Sequence, residues 1–489
     1  MKTFFLSASI CILYFLATFS CFSQGYEISI SMETGNDTVT LGHIFANDKK
    51  LYVDTTMIMK NGKGIFKGNK NLPKGMYFIY NNKRKFDILI GDRQKFGIVA
   101  DTADFIHNTR FVSSPDNDAF NEFWRYEIPA RTKLQQLNEQ LKNAADNAEK
   151  KAISEHWQEV AKERMEKVKK IIADNEGLYV SKFLKAMFMP LELPEPPRND
   201  QGQITDSTFV YRWYRAHFFD HCNIYDPDML RTPLYEDKLL EYLNWFTRNH
   251  FSADTICAET DRMLNKAIAN KEVFRCVLAT MFNHFSQSDL MIRENIWVNL
   301  VDKWYVPHAD WGVNVEEMKK SADKVRNTLI GKIAPPMEQL LVLPTGHFKA
   351  AALDTAIKND IYAGTILPDF RKSVQSKYLV IIFWEVSCSH CKKTIQELWD
   401  VYETCKDKGL QVIAVQTLRS KEGKVQWIDF INEHGMYDWI NAWIIYDNKW
   451  HDLYEASVVP IIYLLNDKKE IIFKRIQPDQ IKSFMEFQK

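Results

Sequence analysis

Two cysteines three positions apart, Cys388 and Cys391, are the residues whose type and spacing most directly carry chemistry in this chain. Ser389 and His390 stand between them. A thiolate in the first turn of a helix is stabilised by unpaired backbone N–H groups and by the positive end of the macrodipole. Its pKa falls, to roughly 3.5–7.5 in Cys-x-x-Cys settings. The first cysteine can then attack a disulfide, and the second, one turn deeper, releases the substrate from the mixed disulfide. A positive His390 beside the Cys388 sulfur would favour the thiolate further. The competing reading is a zinc site, but structural zinc takes four ligands and no second Cys-x-x-Cys accompanies this one.

The elements around the pair fit the redox reading. Upstream, Tyr378-Leu-Val-Ile-Ile-Phe-Trp384 is an unbroken apolar run that predicts a buried strand. Downstream, Ile395, Leu398 and Tyr402 keep helical spacing. The cysteines therefore sit where a strand turns into a helix. Further strands are expected over 410–415, 442–446 and 458–465, the last with Pro460 near its start. A helix over 421–434 places Val425, Ile428 and Ile431 on one face. A turn at 467–470 leads to a strand at 471–476, and Pro478 opens a final helix.

Residues 331–489 resemble the thioredoxin-like domains of TlpA and ResA, the envelope thiol–disulfide oxidoreductases. The resemblance rests on Gly331-Lys-Ile-Ala-Pro, Leu367-Pro-Asp-Phe, Phe383-Trp384, Cys388-Ser-His-Cys391 and Val459-Pro460 before Tyr-Leu-Leu-Asn-Asp. It implies an α/β thioredoxin-like fold, Cys388 as nucleophile and Cys391 as resolving thiol. It further implies a cis Pro460 facing the pair, Val459 docking a substrate strand, and Trp384 packed beside the motif. Two departures matter. Ser387 stands where tryptophan commonly precedes the first cysteine, and Ile382 stands where many relatives carry a buried acid. Glu385 is either a substitute proton acceptor or an exposed strand-end carboxylate. Ser389-His390 resembles the Pro-His of DsbA in its histidine only, so the direction of electron flow stays open, with reduction of substrate disulfides favoured by the resemblance.

The 489 residues exceed one average domain. Hydrophobic content of 46% suits globular cores, while 63 basic against 63 acidic residues argues against nucleic acid or an anionic membrane surface as partner. Residues 1–24 read as a secretory signal peptide, with lipidation of Cys21 as the alternative. Residues 25–115 read as an antiparallel β domain with a turn at Asn61-Gly62, and 116–330 as an all-α domain. The β-then-helix order also resembles, more loosely, the N-terminal half of larger multidomain envelope members. Within 116–330, helix is expected at 117–126 and as a continuous stripe over 131–174. Residues 331–489 form the thioredoxin-like domain.

Export would allow a disulfide among Cys222, Cys257 and Cys276, or these are buried free thiols, as expected for Cys405. His217 and His221, four apart with Asp220 beside them, have metal-ligand spacing but read better as capping or packing residues. No metal or other cofactor is implied. The expected partners are protein disulfides and an envelope electron donor, since no transmembrane span follows the leader. Competing functions are a thiol peroxidase, for which Glu385-Val-Ser387 lacks the usual Pro…Thr context, and a non-enzymatic envelope module with a redox-responsive pair. Cu(I) binding by the two thiolates and His390 is a variant of the latter.

Overall fold

The computed structural model describes residues 25–488 apart from 33–36, 47–50, 82–83, 102–103, 190–191, 288–290, 309–314, 338–339, 344–363 and 445–449. The expected leader, with Cys21, lies outside the described residues. The chain divides into two compact units, Met1–Trp245 with Lys266–Thr280, and Phe246–Asn265 with Met281–Lys489.

The first unit begins with strands β1 (Tyr26–Met32), β2 (Thr38–Ile44), β3 (Leu51–Ile58), β4 (Lys63–Gly68), β5 (Gly75–Tyr80), β6 (Lys85–Ile90), β7 (Lys95–Ala100) and β8 (Arg110–Val112). They form two four-stranded sheets, ordered β4-β1-β7-β8 and β3-β2-β5-β6. Alternation sets the faces: Ile28, Ile30 and Met32 of β1 join Val39, Leu41, Ile79 and Ile88 of the other sheet in one core. All pairings are antiparallel except β1 with β7. Asn61 and Gly62 both take positive φ, 52° and 71°, as a tight turn requires. The strands they join share a single bridge, Lys60 with Lys63, and then part into different sheets.

Helices α1 (Pro115–Asn143), α2 (Asn147–Asp174), α3 (Tyr179–Phe188), α4 (Phe209–His217), α5 (Leu234–Arg248), α6 (Ala253–Ala267) and α7 (Lys271–Gln287) follow. Asn117 of α1 completes the backbone pairing of Leu89 in β6, accepting from its N–H at 2.7 Å and donating to its carbonyl at 2.8 Å. The continuous helix expected over 131–174 is instead two helices, broken at 144–146. Asp146 caps α2 by accepting from the Glu149 N–H at 2.8 Å, and the Glu149 carboxylate accepts from Ala145 N–H at 2.8 Å. Those contacts satisfy donors that a helix end leaves unpaired. The break lets α2 return along α1, where Arg164 meets the buried Glu127 through two hydrogen bonds, at 2.7 and 2.5 Å.

The second unit contains most of α6, then α8 (Arg293–Leu300), a π turn at Val301–Tyr305, and α9 (Val315–Arg326), all within the stretch expected to be helical. Strands β9 (Leu340–Val342) and β10 (Thr365–Ile366) and the short helix α10 (Phe370–Ser373) precede β11 (Tyr378–Trp384). Then come α11 (Ser389–Cys405), β12 (Leu410–Gln416), α12 (Lys421–His434), β13 (Ile440–Ile444), α13 (Trp450–Leu453), β14 (Ile461–Leu465), β15 (Ile471–Lys474) and α14 (Pro478–Phe487). Among the described residues the sheet order is β10-β9-β13-β12-β11-β14-β15. β11 runs parallel to β12 and antiparallel to β14, so it lies inside the sheet with both faces covered. All seven of its residues are buried, which explains the unbroken apolar run. Even-numbered Val380, Ile382 and Trp384 face the core shared with α11, α12 and α14, and odd-numbered Leu379, Ile381 and Phe383 face that of α10 and α13. This is the thioredoxin-like α/β arrangement, preceded by an all-α region and a β region that is antiparallel but for the β1–β7 pair. No helix among the described residues is long and apolar enough to cross a membrane.

Candidate redox site

β11 ends at Trp384, and four residues carry the chain into α11. Cys388 is the N-cap of that helix, with extended backbone (φ −88°, ψ 116°) and its Sγ accepting from the Cys391 N–H at 3.2 Å. Serine, threonine or aspartate usually fills this role with oxygen; here sulfur does. The turn is closed by the Cys388 N–H donating to the Glu385 carbonyl at 3.1 Å. Cys388 is partly exposed, whereas Cys391 is fully buried beneath Ile395 and Leu398.

The two thiols diverge electrostatically. A hydrogen bond from the Cys391 side chain, aided by the backbone N–H groups of Cys391 and His390, lowers the Cys388 pKa. Slight burial and the Glu385 charge oppose that shift. Burial pushes Cys391 up to about 12, reinforced by its hydrogen bond to Cys388 and by the charge of Glu385. The two sulfurs are therefore shifted in opposite directions, Cys388 toward its thiolate and Cys391 toward its thiol.

His390 bears on the Cys388 sulfur through its backbone amide, and the residue itself is exposed. In the first helical turn the free backbone N–H groups point toward the cap residue, which is how this amide reaches the sulfur. Ser389 is likewise exposed. Ile382 is completely buried, opposite Ala414 of β12 and Ile462 of β14. Glu385 is partly buried at the strand end, its Oε1 3.3 Å from the Thr417 hydroxyl, which lies 3.2 Å from the Trp384 carbonyl. Thr417 was not singled out from the sequence; its position just past β12, in register beyond Trp384 and Gln416, brings it there. Trp384 is fully buried against Phe430, with ring centroids 5.4 Å apart.

The Val459–Pro460 peptide bond is cis. Ile461 pairs with Phe383, so Val459 and Pro460 lie at the end of the sheet from which the cysteine turn departs. Val459 packs on the cores of both sheet faces, and Val458 is 77% exposed beside it. Elsewhere, Cys222, Cys257, Cys276 and Cys405 are free thiols, the first, third and fourth buried. His217 pairs with Asp220 at 2.8 Å and tilts against the Trp213 ring, a packing arrangement.

Residues 350–473 match the model of the AhpC/TSA family. No curated protein matches the chain. Among solved structures, a thioredoxin-like protein from Bacteroides caccae is 17% identical, with 62% of this chain and 100% of that one covered, at a TM-score of 0.40. A domain of a possible thiol-disulfide isomerase from Cytophaga hutchinsonii is 27% identical, covering 32% of this chain and 90% of its own, at 0.25. The thioredoxin domain of a thiol-disulfide oxidoreductase from Bacteroides vulgatus is 25% identical, with 32% and 95% covered, at 0.23.

Proposed function

We propose that this chain, whose C-terminal region is a thioredoxin-like domain matched by the AhpC/TSA family, is an exported thiol–disulfide oxidoreductase that reduces disulfides of envelope proteins. The observation that carries the reading is the divergence of the two sulfurs at the start of α11, one capping the helix and partly exposed, the other buried and raised.

The chemistry balances as follows. The Cys388 thiolate attacks one sulfur of a substrate disulfide, forming a mixed disulfide and expelling a substrate thiolate, which takes up a proton. Cys391 loses its proton and attacks the Cys388 sulfur. The second substrate thiol leaves and the chain holds a Cys388–Cys391 disulfide, oxidised by two electrons. A dithiol protein of the envelope returns the pair to its reduced form. Glu385, whose charge acts on both thiols, accepts the Cys391 proton and, with Trp384, Ser389 and His390, tunes the pair. Val459 and Pro460 dock the substrate strand.

Residues 1–24 act as the export signal, with Cys21 lipidation as the alternative route to the envelope. Residues 25–115, 116–330 and 331–489 are the three domains of the mature chain.

The test is reduction of insulin disulfides by the full mature chain with dithiothreitol as reductant. Wild type turns over, Cys388→Ser does not, and Cys391→Ser accumulates a mixed disulfide visible by mass spectrometry. Full activity in Cys388→Ser would sink the proposal. Peroxide consumption faster than insulin reduction would favour the peroxidase reading of the same fold.

A further inference from the structure

Five residues, 456–460, separate two fixed points on the second unit: Glu455 and the pairing of Ile461 with Phe383. The second point is ordinary sheet. The first is a buried cluster of alternating charge. Glu455 Oε1 accepts from Lys474 Nζ at 2.9 Å and its Oε2 from Arg475 at 2.6 Å. Lys474 and Arg475 also engage the two carboxylate oxygens of Glu294, Arg475 at 2.9 Å. Thr328 hydrogen-bonds Glu455 and lies 3.2 Å from Lys474. The side chains of Glu294, Glu455 and Lys474 are 11%, 9% and 4% exposed, so the charges have few alternative partners in water.

The backbone is held as firmly as the side chains. Glu455 and Arg475 both adopt left-handed φ, 50° and 55°, without being glycine. Such a conformation persists where the surroundings over-determine it, and here each residue is clamped by the other. Tyr463 of β14 donates to the carbonyl of Tyr454, and Tyr454 donates to that of Pro335, fixing the residue ahead of Glu455. The stretch after Thr328 is bound to the same hairpin: Gly331 N–H donates to the Ile471 carbonyl at 2.9 Å, and Ile471 N–H to that of Lys332 at 2.8 Å.

We propose that Glu455 is a positioning residue for disulfide substrates: held by Lys474 and Arg475 against Glu294 of α8, it fixes the 456–460 loop so that the helical segment sets how well a protein disulfide docks on Val459-Pro460. The inference rests on the oxidoreductase reading above and adds a determinant outside the thioredoxin-like domain. Glu294 touches neither cysteine; it acts through Lys474, Arg475 and Glu455. A polypeptide substrate needs the loop surface, whereas a small disulfide needs only the exposed Cys388 sulfur. Loosening the cluster therefore separates the two classes of substrate.

The experiment compares full mature chains carrying Glu294→Gln, Thr328→Val or Glu455→Gln with wild type, using insulin and the small aromatic disulfide 5,5′-dithiobis(2-nitrobenzoic acid). The expected result for Glu294→Gln is a rise in KM for insulin of about five- to tenfold with kcat within about twofold. Its rate with the small disulfide and its reduction potential stay at wild-type values. Glu455→Gln raises KM at least as far. Thr328→Val, nearly isosteric and without change of charge, gives a smaller rise in the same direction and serves where a charge variant fails to fold. Unchanged KM in all folded variants overturns the proposal, as does a parallel loss with insulin and the small disulfide. A wild type inactive on both substrates defeats the oxidoreductase reading instead, so the two failures are told apart.

Discussion

The backbone N–H of Cys391 points at the sulfur of Cys388 across 3.2 Å, so the buried cysteine supplies a hydrogen bond that favours the thiolate of the partly exposed one. The same helix turn that carries Cys391 into the core presents its amide to the cap. Position and reactivity of the two sulfurs therefore come from one local geometry.

Alkylation should reveal the asymmetry. Cys388 is expected to react with iodoacetamide with a pH midpoint below the ordinary thiol value of about 8.5, while Cys391 stays protected until strongly alkaline solution. The signs for stability of the dithiol form are opposite. The contribution of Cys388 is fully present above the ordinary thiol range and is lost as pH falls through its lowered value. Cys391, held protonated up to about 12, makes the dithiol form lose stability as pH rises above the ordinary range toward that value. Mass-resolved alkylation against pH checks both, and equal midpoints for the two thiols would contradict the site as described.

Glu385→Gln gives a second sign test. The Glu385 charge raises both thiols, so removing it should move the Cys388 alkylation midpoint to lower pH. If Glu385 also takes the Cys391 proton, resolution of a trapped mixed disulfide slows in the same variant. A faster attack with slower release is the expected pair of changes in stopped-flow kinetics.

In the first unit, Glu127 is 3% exposed and its partner is Arg164. Arg164→Ala leaves a buried carboxylate without its cation, and roughly 2–3 kcal/mol of stability should be lost. A chemical-denaturation midpoint that does not move would mean water replaces the guanidinium.

Asp146→Ala removes the cap that starts α2. The expected cost is about 1 kcal/mol, read from thermal unfolding, with no effect on insulin reduction.

The strand-to-helix junction was legible because both of its periodicities are strong. Seven consecutive apolar residues have no amphipathic reading, and Ile395, Leu398 and Tyr402 then mark a helix face. The break between α1 and α2 was missed because alanines carry the helical stripe across 144–145, and propensity there opposes a stop. The signal was present in Asp146 and Glu149, three apart, which is the spacing of a cap. Thr417 and the Glu294 cluster left no local trace. Glu385 and Thr417 are 32 positions apart and Glu294 and Arg475 are 181 apart, so only the assembled sheet and the helix beside it join them. Neither Glu294 nor Glu455 stood out in the sequence, since nothing local marks a carboxylate for burial.

The amide-built cap on Cys388 frees the residues between the cysteines. The backbone amides of Cys391 and His390 act on the sulfur, while Ser389 and His390 are both exposed. Their backbone would persist through most substitutions, whereas their surfaces would change. A lineage could therefore alter the surface beside the Cys388 sulfur through Ser389 and His390 while keeping the backbone amides that hydrogen-bond it.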